Sequence, residues 1–262
     1  EAILLTIITA ATPLAIAALG ELVVERSGVL NLGVEGMMII GAATGFAAAI
    51  VTGSTLLGFL AGMAAGMLLA AVFAALALGL AANQVATGLA LTILGIGLSG
   101  LIGRDFVGAR REPLAKIVIP GLSDLPVVGK VLFAQDPIVY FSVVRAIGVW
   151  WSLRKSRRGL VLRAVGESHA SAHALGYPVL RIRFLAVLFG GACSGMAGAY
   201  LSLAYTPFWS PGMTAGRGWI ALALVVFASW RPARLAAGAL LFGGATVLQL
   251  HAQAASIGLP GQ

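Results

Sequence analysis

Three carboxylates and one amide crowd the first glycine-rich break in an otherwise apolar sequence. Glu21, Glu25 and Glu35 surround Gly28-Val29-Leu30-Asn31-Leu32-Gly33. An ionisable side chain inside a bilayer costs roughly 2.5–3.5 kcal/mol at the helix centre unless it is paired or reaches water. Polar groups in this position do one of two things: they hold a polar solute in a water-accessible cavity, or they lock helices together. For Asn31 and Glu35 the residue types leave both roles open. Asn83 and Gln84 form a second polar pair between apolar runs, and Arg217 opens a short one. These five residues, Asn31, Glu35, Asn83, Gln84 and Arg217, are the candidates for lining a solute path or bracing the broken helices beside it. Arg145 stands in the middle of another apolar run, where it must snorkel or find a buried partner.

Covalent chemistry has little to work with. HExxH, GxSxG and paired His/Cys spacings are absent from the sequence, so no catalytic residue and no metal site is expected. There is one cysteine, Cys193, inside an apolar run, which excludes a disulfide framework. No GxxxxGK[ST] phosphate loop occurs; Gly129-Lys130 lacks both the upstream glycine and the following hydroxyl. If ATP drives this protein, another chain hydrolyses it. Gly95-Ile96-Gly97-Leu98-Ser99-Gly100 spells GxGxxG, but it lies within an apolar segment rather than between a strand and a helix, so it reads as helix packing. Gly58, Gly62 and Gly66, and again Gly191 and Gly195, have the GxxxG spacing that lets backbones approach closely in lipid.

The elements that position these residues follow from composition. Of 262 residues, 60% are hydrophobic and 10% are charged. A soluble domain carries about 25% charged residues, so this surface is built for lipid. Apolar segments run over about 2–24, 29–52, 55–81, 84–103, 137–153, 184–205, 218–230 and 233–251, and about 20 residues are needed for a helical crossing. No stretch alternates as a membrane barrel strand does. The fold class is therefore all-α: a polytopic helical bundle of about eight apolar segments, some of them broken or re-entrant. Segment 29–52 opens on polar and glycine residues, 218–230 is too short for a full crossing, and 55–81 is long enough to tilt or overhang. Broken helices line protein-buried cavities rather than lipid.

The net charge of +8 is concentrated in connections, which argues for retained loops rather than for nucleic-acid binding. Residues 154–183 carry seven basic side chains against the single acid Glu167, and five basic against four acidic residues fall in 104–136. The run Arg154-Lys155-Ser156-Arg157-Arg158 abuts a membrane segment, with Trp150 and Trp151 as an interfacial belt. These features place 154–183 in the cytoplasm and 104–136 outside, so Ser168 and Ser123 are expected on opposite sides. If every segment crosses fully, residue 1 is outside; one re-entrant segment reverses that. The first apolar stretch has no basic leader, so a cleaved signal peptide is not expected. His251 and Gln249 read as interfacial.

Residues 166–176, Gly-Glu-Ser-His-Ala-Ser-Ala-His-Ala-Leu-Gly, are alanine-rich and end in Gly176 with Pro178 beyond. The expectation is a short helix begun by Glu167 and stopped at Gly176. Such a helix either docks into a partner's groove or simply connects two segments.

Three blocks then resemble a known family. Glu25-Arg26-Ser27-Gly28-Val29-Leu30-Asn31-Leu32-Gly33-Val34-Glu35-Gly36-Met37-Met38 is similar to the N-terminal signature of permeases from nucleoside-type ABC importers. Gly159-Leu160, Arg163-Ala164-Val165-Gly166-Glu167, Ala172 and Gly176 resemble the family's coupling loop, and Gly216-Arg217-Gly218-Trp219-Ile220-Ala221-Leu222-Ala223 with Trp230-Arg231-Pro232 resembles a third block. The wider group includes ribose-type sugar and branched-chain amino-acid permeases; the first and third blocks favour the nucleoside branch.

The resemblance implies a multi-pass permease of the bacterial inner membrane that does no covalent chemistry. It implies two ATPase subunits that carry ATP and magnesium, so no cofactor in this chain. It also implies a second, related permease subunit and an extracytoplasmic solute-binding protein. Arg163, Gly166, Glu167, Ala172 and Gly176 become the residues of ATPase coupling, and transport becomes alternating access. Two departures stand out: the family's Asn-Pro after the coupling-loop acid is replaced by Ser168-His169, and Arg145 is unusual for its segment and has no assigned family role. Relatives continue beyond Gly258-Leu259-Pro260-Gly261-Gln262, so a missing C-terminal membrane portion is expected. The competing readings are a ribose-type sugar permease of the same class and a secondary transporter or channel without an ATPase.

Overall fold

The computed structural model describes residues 2–118 and 133–257; Ser123, Gly129-Lys130 and the last five residues lie outside these. Among the described residues ten α-helices follow one another: α1 Ala2–Arg26, α2 Val34–Thr52, α3 Thr55–Ala74, α4 Gln84–Gly103, α5 Pro137–Lys155, α6 Arg157–Glu167, α7 His169–Ala174, α8 Val179–Tyr200, α9 Arg217–Phe227 and α10 Pro232–Ile257. Single π-turns, Ala75–Gly79 and Leu201–Tyr205, prolong α3 and α8. A two-residue antiparallel ladder, β1 Ile117–Val118 with β2 Ala134–Gln135, closes the long loop.

Six helical stretches are long and apolar enough to cross a bilayer. The eight segments expected from hydropathy correspond to eight helices, but two of them fall short of that standard. The helix α5 is 19 residues long, and its interior arginine and basic last turn lower its hydropathy. The helix α9 has 11 residues, about 16 Å at the usual rise. The segment expected to begin at 29 begins as a helix only at Val34. Between them, Gly28 has φ +81° and the Asn31 side chain accepts a hydrogen bond from Gly33 N at 2.9 Å, an Asx turn that competes with helix.

Local signals account for most boundaries. Ser54, Asn83, Asp136, Ser156 and Ser168 each cap a helix with a side-chain oxygen. Pro13 lies within α1, where the Thr12 hydroxyl donates to Ile8 O at 2.8 Å.

The core is a contact between backbones. The helix α8 packs against α1, α2 and α3. A methyl group on Gly66 would lie 2.7 Å from Gly195 Cα, and one on Gly62 would lie 2.8 Å from Gly41 O. The GxxxG faces are thus packing faces, as expected. Gly95 presses on Gly36 in the same way, whereas Gly97 and Gly100 of the GxGxxG match meet nothing within 4 Å. Lipid tails are as apolar as leucine, so close van der Waals approach, not hydrophobic burial, holds these helices.

The two long connections fall at opposite ends of the bundle. At one end Arg111 donates to Ala49 O, to Gly53 O at 2.8 Å and to Thr55 Oγ1 at 3.0 Å. At the other, Arg183 Nε donates to Ser27 O at 3.0 Å, and Gly166 packs on Gly28.

Candidate functional site

The break between α1 and α2 is held from both sides by side chains that sequence reasoning singled out. Gln84 Oε1 accepts from Leu30 N at 2.9 Å. Asn31 is fully buried; its N–H donates to Glu21 Oε1 at 3.3 Å and its side-chain amide reaches Met37 Sδ at 3.4 Å. Four residues further on, Glu35 spends both carboxylate oxygens on one target. Its Oε1 accepts from the Thr214 hydroxyl at 2.6 Å and from Gly216 N at 3.0 Å, and its Oε2 accepts from Gly218 N at 2.6 Å. These donors surround the N-terminus of the half-helix α9, where amides lack intrahelical partners and a negative charge is favoured.

The chain reaches that point by re-entering the bundle. Phe208 and Trp209 bridge to Arg110 and Val107 at the Arg111 end, and residues 210–216 then descend in turns. Ala215 and Gly216 both have positive φ, at 48° and 81°. After α9 the chain meets the other end, where Trp230 Nε1 donates to Glu25 Oε2 at 2.5 Å and Arg26 Nη2 donates to Trp230 O at 3.3 Å. Of the five path candidates, four therefore gather along residues 30–35 or the turn that Glu35 grips. Arg217 is half-buried, donates to Met213 O at 3.0 Å and stacks over the Tyr205 ring at 5.7 Å. Asn83 stands apart: it is exposed and caps α4 through Ala86 N at 3.1 Å. Glu35 is a clamp whose oxygens are committed within the chain.

Thr214 and Glu21 belong to this constellation and were not among the five. Glu21 is fully buried, and its Oε2 has no partner among the described residues. The signal for Thr214 was weak: one hydroxyl in the glycine-rich run 211–216. Arg145 neither snorkels nor meets a carboxylate among the described residues. Its Nη2 donates to Ile16 O at 3.0 Å and Nη1 to Cys193 Sγ at 3.2 Å, so it ties α5 to α1 and α8. An apolar groove of about 880 Å³ between α5, α6 and α8 includes Arg145, Ser152, Leu162, Tyr177 and Phe189, and none of the five path candidates.

The segment expected to couple to a partner is helical, with a shifted start. Glu167 does not begin the short helix; it ends α6. Ser168, at φ −152°, interrupts the helix and caps α7 by accepting from Ser171 N at 3.3 Å. A hydroxyl cap thus does what the family's Asn-Pro does by a fixed φ. Gly176, at φ +81°, ends the unit as expected. Of the five coupling candidates, Glu167 and Gly176 are exposed, Arg163 and Gly166 are half-buried, and Ala172 is 2% exposed, facing its own chain. The outward side of α7 is His169, Ala170, His173 and Ala174, continued by Leu175 at 76% exposure.

A glycine-packed bundle of membrane-length helices, a half-helix pinned at its N-terminus and an exposed helix at one end define a polytopic helical membrane protein. Residues 3–257 match the family described as the permease component of branched-chain amino acid transport systems, and the chain belongs to that family. A Haloferax volcanii protein, provisionally named a glucose ABC transporter permease protein, is 48% identical over 256 residues, covering 96% of this chain and 78% of that protein. The guanosine ABC transporter permease protein of Bacillus subtilis is 36% identical, over 92% of this chain and 79% of its own length. The nucleoside ABC transporter permease protein of Lactococcus lactis is 32% identical, over 88% and 77%.

The chain is thus a multi-pass ABC transporter permease, a transport subunit rather than an enzyme. That sets aside the secondary-transporter and channel reading.

Proposed function

We propose that this chain forms half of an import path for a solute built on a sugar ring, a nucleoside or a related small polar molecule, in the bacterial inner membrane. Movement is driven by two separate ATPase subunits, which carry the ATP and magnesium. A second, related permease subunit completes the path, and an extracytoplasmic binding protein delivers the solute. The end bearing α6 and α7 is cytoplasmic and the end bearing Arg111 is outside, so α1 runs inward from the outer face.

The observation that carries this reading is α7. It is capped at both ends, presents Ala170 and Ala174 outward between His169 and His173 and leaves Leu175 uncovered, so its outer side suits a groove on another protein. ATPase closure there would rock α6 and α8 about the break at residues 27–33. Ala170→Trp and Leu175→Asp are expected to lower the yield of copurified ATPase or to separate ATP hydrolysis from uptake. Normal copurification with normal uptake would reduce α7 to a connector. Sidedness is read from single cysteines at Ser168 and Glu112, both exposed: labelling of Ser168→Cys from outside would overturn the topology.

For the solute, a free sugar is the second reading, favoured by the higher identity to the protein named for glucose. Uptake of labelled guanosine and glucose, each challenged with the other unlabelled, separates the two.

A further inference from the structure

At the end of the bundle that carries α6 and α7, four arginines converge on one concavity. It measures about 290 Å³ and is lined by Arg26 from α1, Arg154 from α5, Arg163 from α6 and Arg231 before α10, with Trp150, Trp230, Pro232 and Ala233. Its volume lies just below the roughly 300–1,000 Å³ of small-molecule sites, so its contents are small. Four guanidiniums brought together repel one another unless an anion lies between them. Among the described residues none of the four forms an ion pair; Glu25 gives its Oε2 to the Trp230 indole and leaves Oε1 buried without a partner, and Arg163 Nε is likewise buried without a hydrogen-bond partner. The transport reading uses Arg163 for coupling and Arg154 for sidedness, but it gives no counter-charge to the four together.

The concavity is built at a cost. Ser229 and Trp230 are consecutive non-glycine residues in the left-handed region, at φ 51° and 54°. Such conformations cost about 1 kcal/mol or more each and persist only where surrounding contacts hold them. Here Glu25 accepts from Trp230 Nε1, and Arg26 donates to Trp230 O while its guanidinium sits 6.0 Å from the indole centroid. This turn places Arg231 and the first turn of the 26-residue α10 in the wall of the concavity. Unpaired first-turn amides and the positive end of a helix add to an anion site.

We propose that this concavity binds the phosphate of an anionic phospholipid headgroup. The rim favours a lipid over a soluble anion. Trp150 and Trp230 are half-exposed in the manner of interfacial indoles, and Trp151 and Phe227, at 57% and 78% exposure, lie beside them in the chain. Basic clusters of this kind at helix ends attract anionic headgroups of the inner leaflet. A bound headgroup would tie α1, α5, α6 and α10 together at the root of the coupling segment, without touching α7 itself. The leaflet rests on the sidedness proposed above, which the Ser168→Cys labelling tests separately.

The test uses the assembled transporter, purified with its partner subunits and examined by native mass spectrometry after exposure to phosphatidylglycerol or phosphatidylcholine. Arg154 and Arg231 are exposed, so Arg154→Gln/Arg231→Gln spares the packing; Arg163→Gln removes the buried donor. The wild type is expected to retain phosphatidylglycerol preferentially. Loss of two basic contacts at a membrane surface should weaken that retention by roughly tenfold or more. Equal retention in the double variant, or none in the wild type, overturns the proposal. Displacement of the lipid by about 10 mM inorganic phosphate, with ionic strength held constant so that screening does not change, assigns the site to free phosphate and overturns the lipid source. Unchanged lipid retention with loss of the ATPase from the double variant assigns the cluster to subunit docking instead.

Discussion

The Glu35 clamp and α7 solve opposite problems with the same short-range chemistry. At the clamp, a carboxylate from α2 satisfies a hydroxyl and two amides more than 170 residues away, all within the chain. At α7, Ser168 and Gly176 close the helix locally, and the side facing outward meets nothing. Both are helix N-termini satisfied by a side-chain oxygen. The difference lies in what the rest of each helix packs on: α9 buries Ala221, Leu222, Leu224 and Val225, whereas α7 buries Ala172 alone. A region complete in itself sets the geometry of the bundle. A region left incomplete is where, on the proposed function, a partner would act, and the two should answer differently to substitution.

The largest effect is expected at the clamp. Glu35→Ala leaves the Thr214 hydroxyl and two amides buried without an acceptor, each worth about 1–3 kcal/mol, so a loss of about 3 kcal/mol or more is expected from unfolding in detergent. If Glu35→Ala unfolds like the wild type, the clamp is not structural and the comparison fails. Gly216→Ala comes next. The glycine sits at φ +81° with open space around it, so the cost is conformational only, about 1–2 kcal/mol. A clearly larger loss would mean that the turn is pinned by contacts beyond the three hydrogen bonds.

Ser168→Ala removes a single exposed cap, about 0.5–1 kcal/mol. Its global stability should scarcely move, while amide exchange of residues 169–174 speeds up; slowed exchange would contradict the local picture. Leu175→Ser is expected to change stability by no more than about 0.5 kcal/mol, yet to lower solute-stimulated ATP hydrolysis in proteoliposomes several-fold. That split between stability and coupling is the sharpest separation of the two regions. A variant that lost both together would show Leu175 to be packed within the chain.

Much of this architecture was legible beforehand, and the reasons are local. The GxxxG runs at Gly58, Gly62, Gly66, Gly191 and Gly195 became backbone contacts because only a missing Cβ permits that approach in lipid. The short hydropathy of 218–230 became a half-helix because length sets reach. The breaks at Gly28–Gly33 and at Gly176 followed from glycine and asparagine. Less was legible where two elements had to meet. Glu167 suited the start of a helix by its charge, but Ser168 took the cap because its backbone turned extended there. Ala172 was a coupling residue by resemblance, but it is turned toward its own chain, while Ala170 and Ala174 face outward.

The sequence by itself determined the solvent, the class and the ends: a bilayer protein of apolar helices, with basic and mixed-charge connections kept apart. Hydropathy, glycine spacing and cap residues are properties of short stretches, and they act wherever the chain goes. Only the tertiary structure decided what the polar residues do. Glu35 carries the same charge whether it lines a cavity or grips α9. Its role depends on Thr214, Gly216 and Gly218 arriving within hydrogen-bond distance along a re-entrant path that no local pattern encodes. Arg145 likewise had several outlets on paper. The choice of Ile16 O and Cys193 followed from the packing of α5 against α1 and α8, which places those acceptors, and no described carboxylate, within its reach.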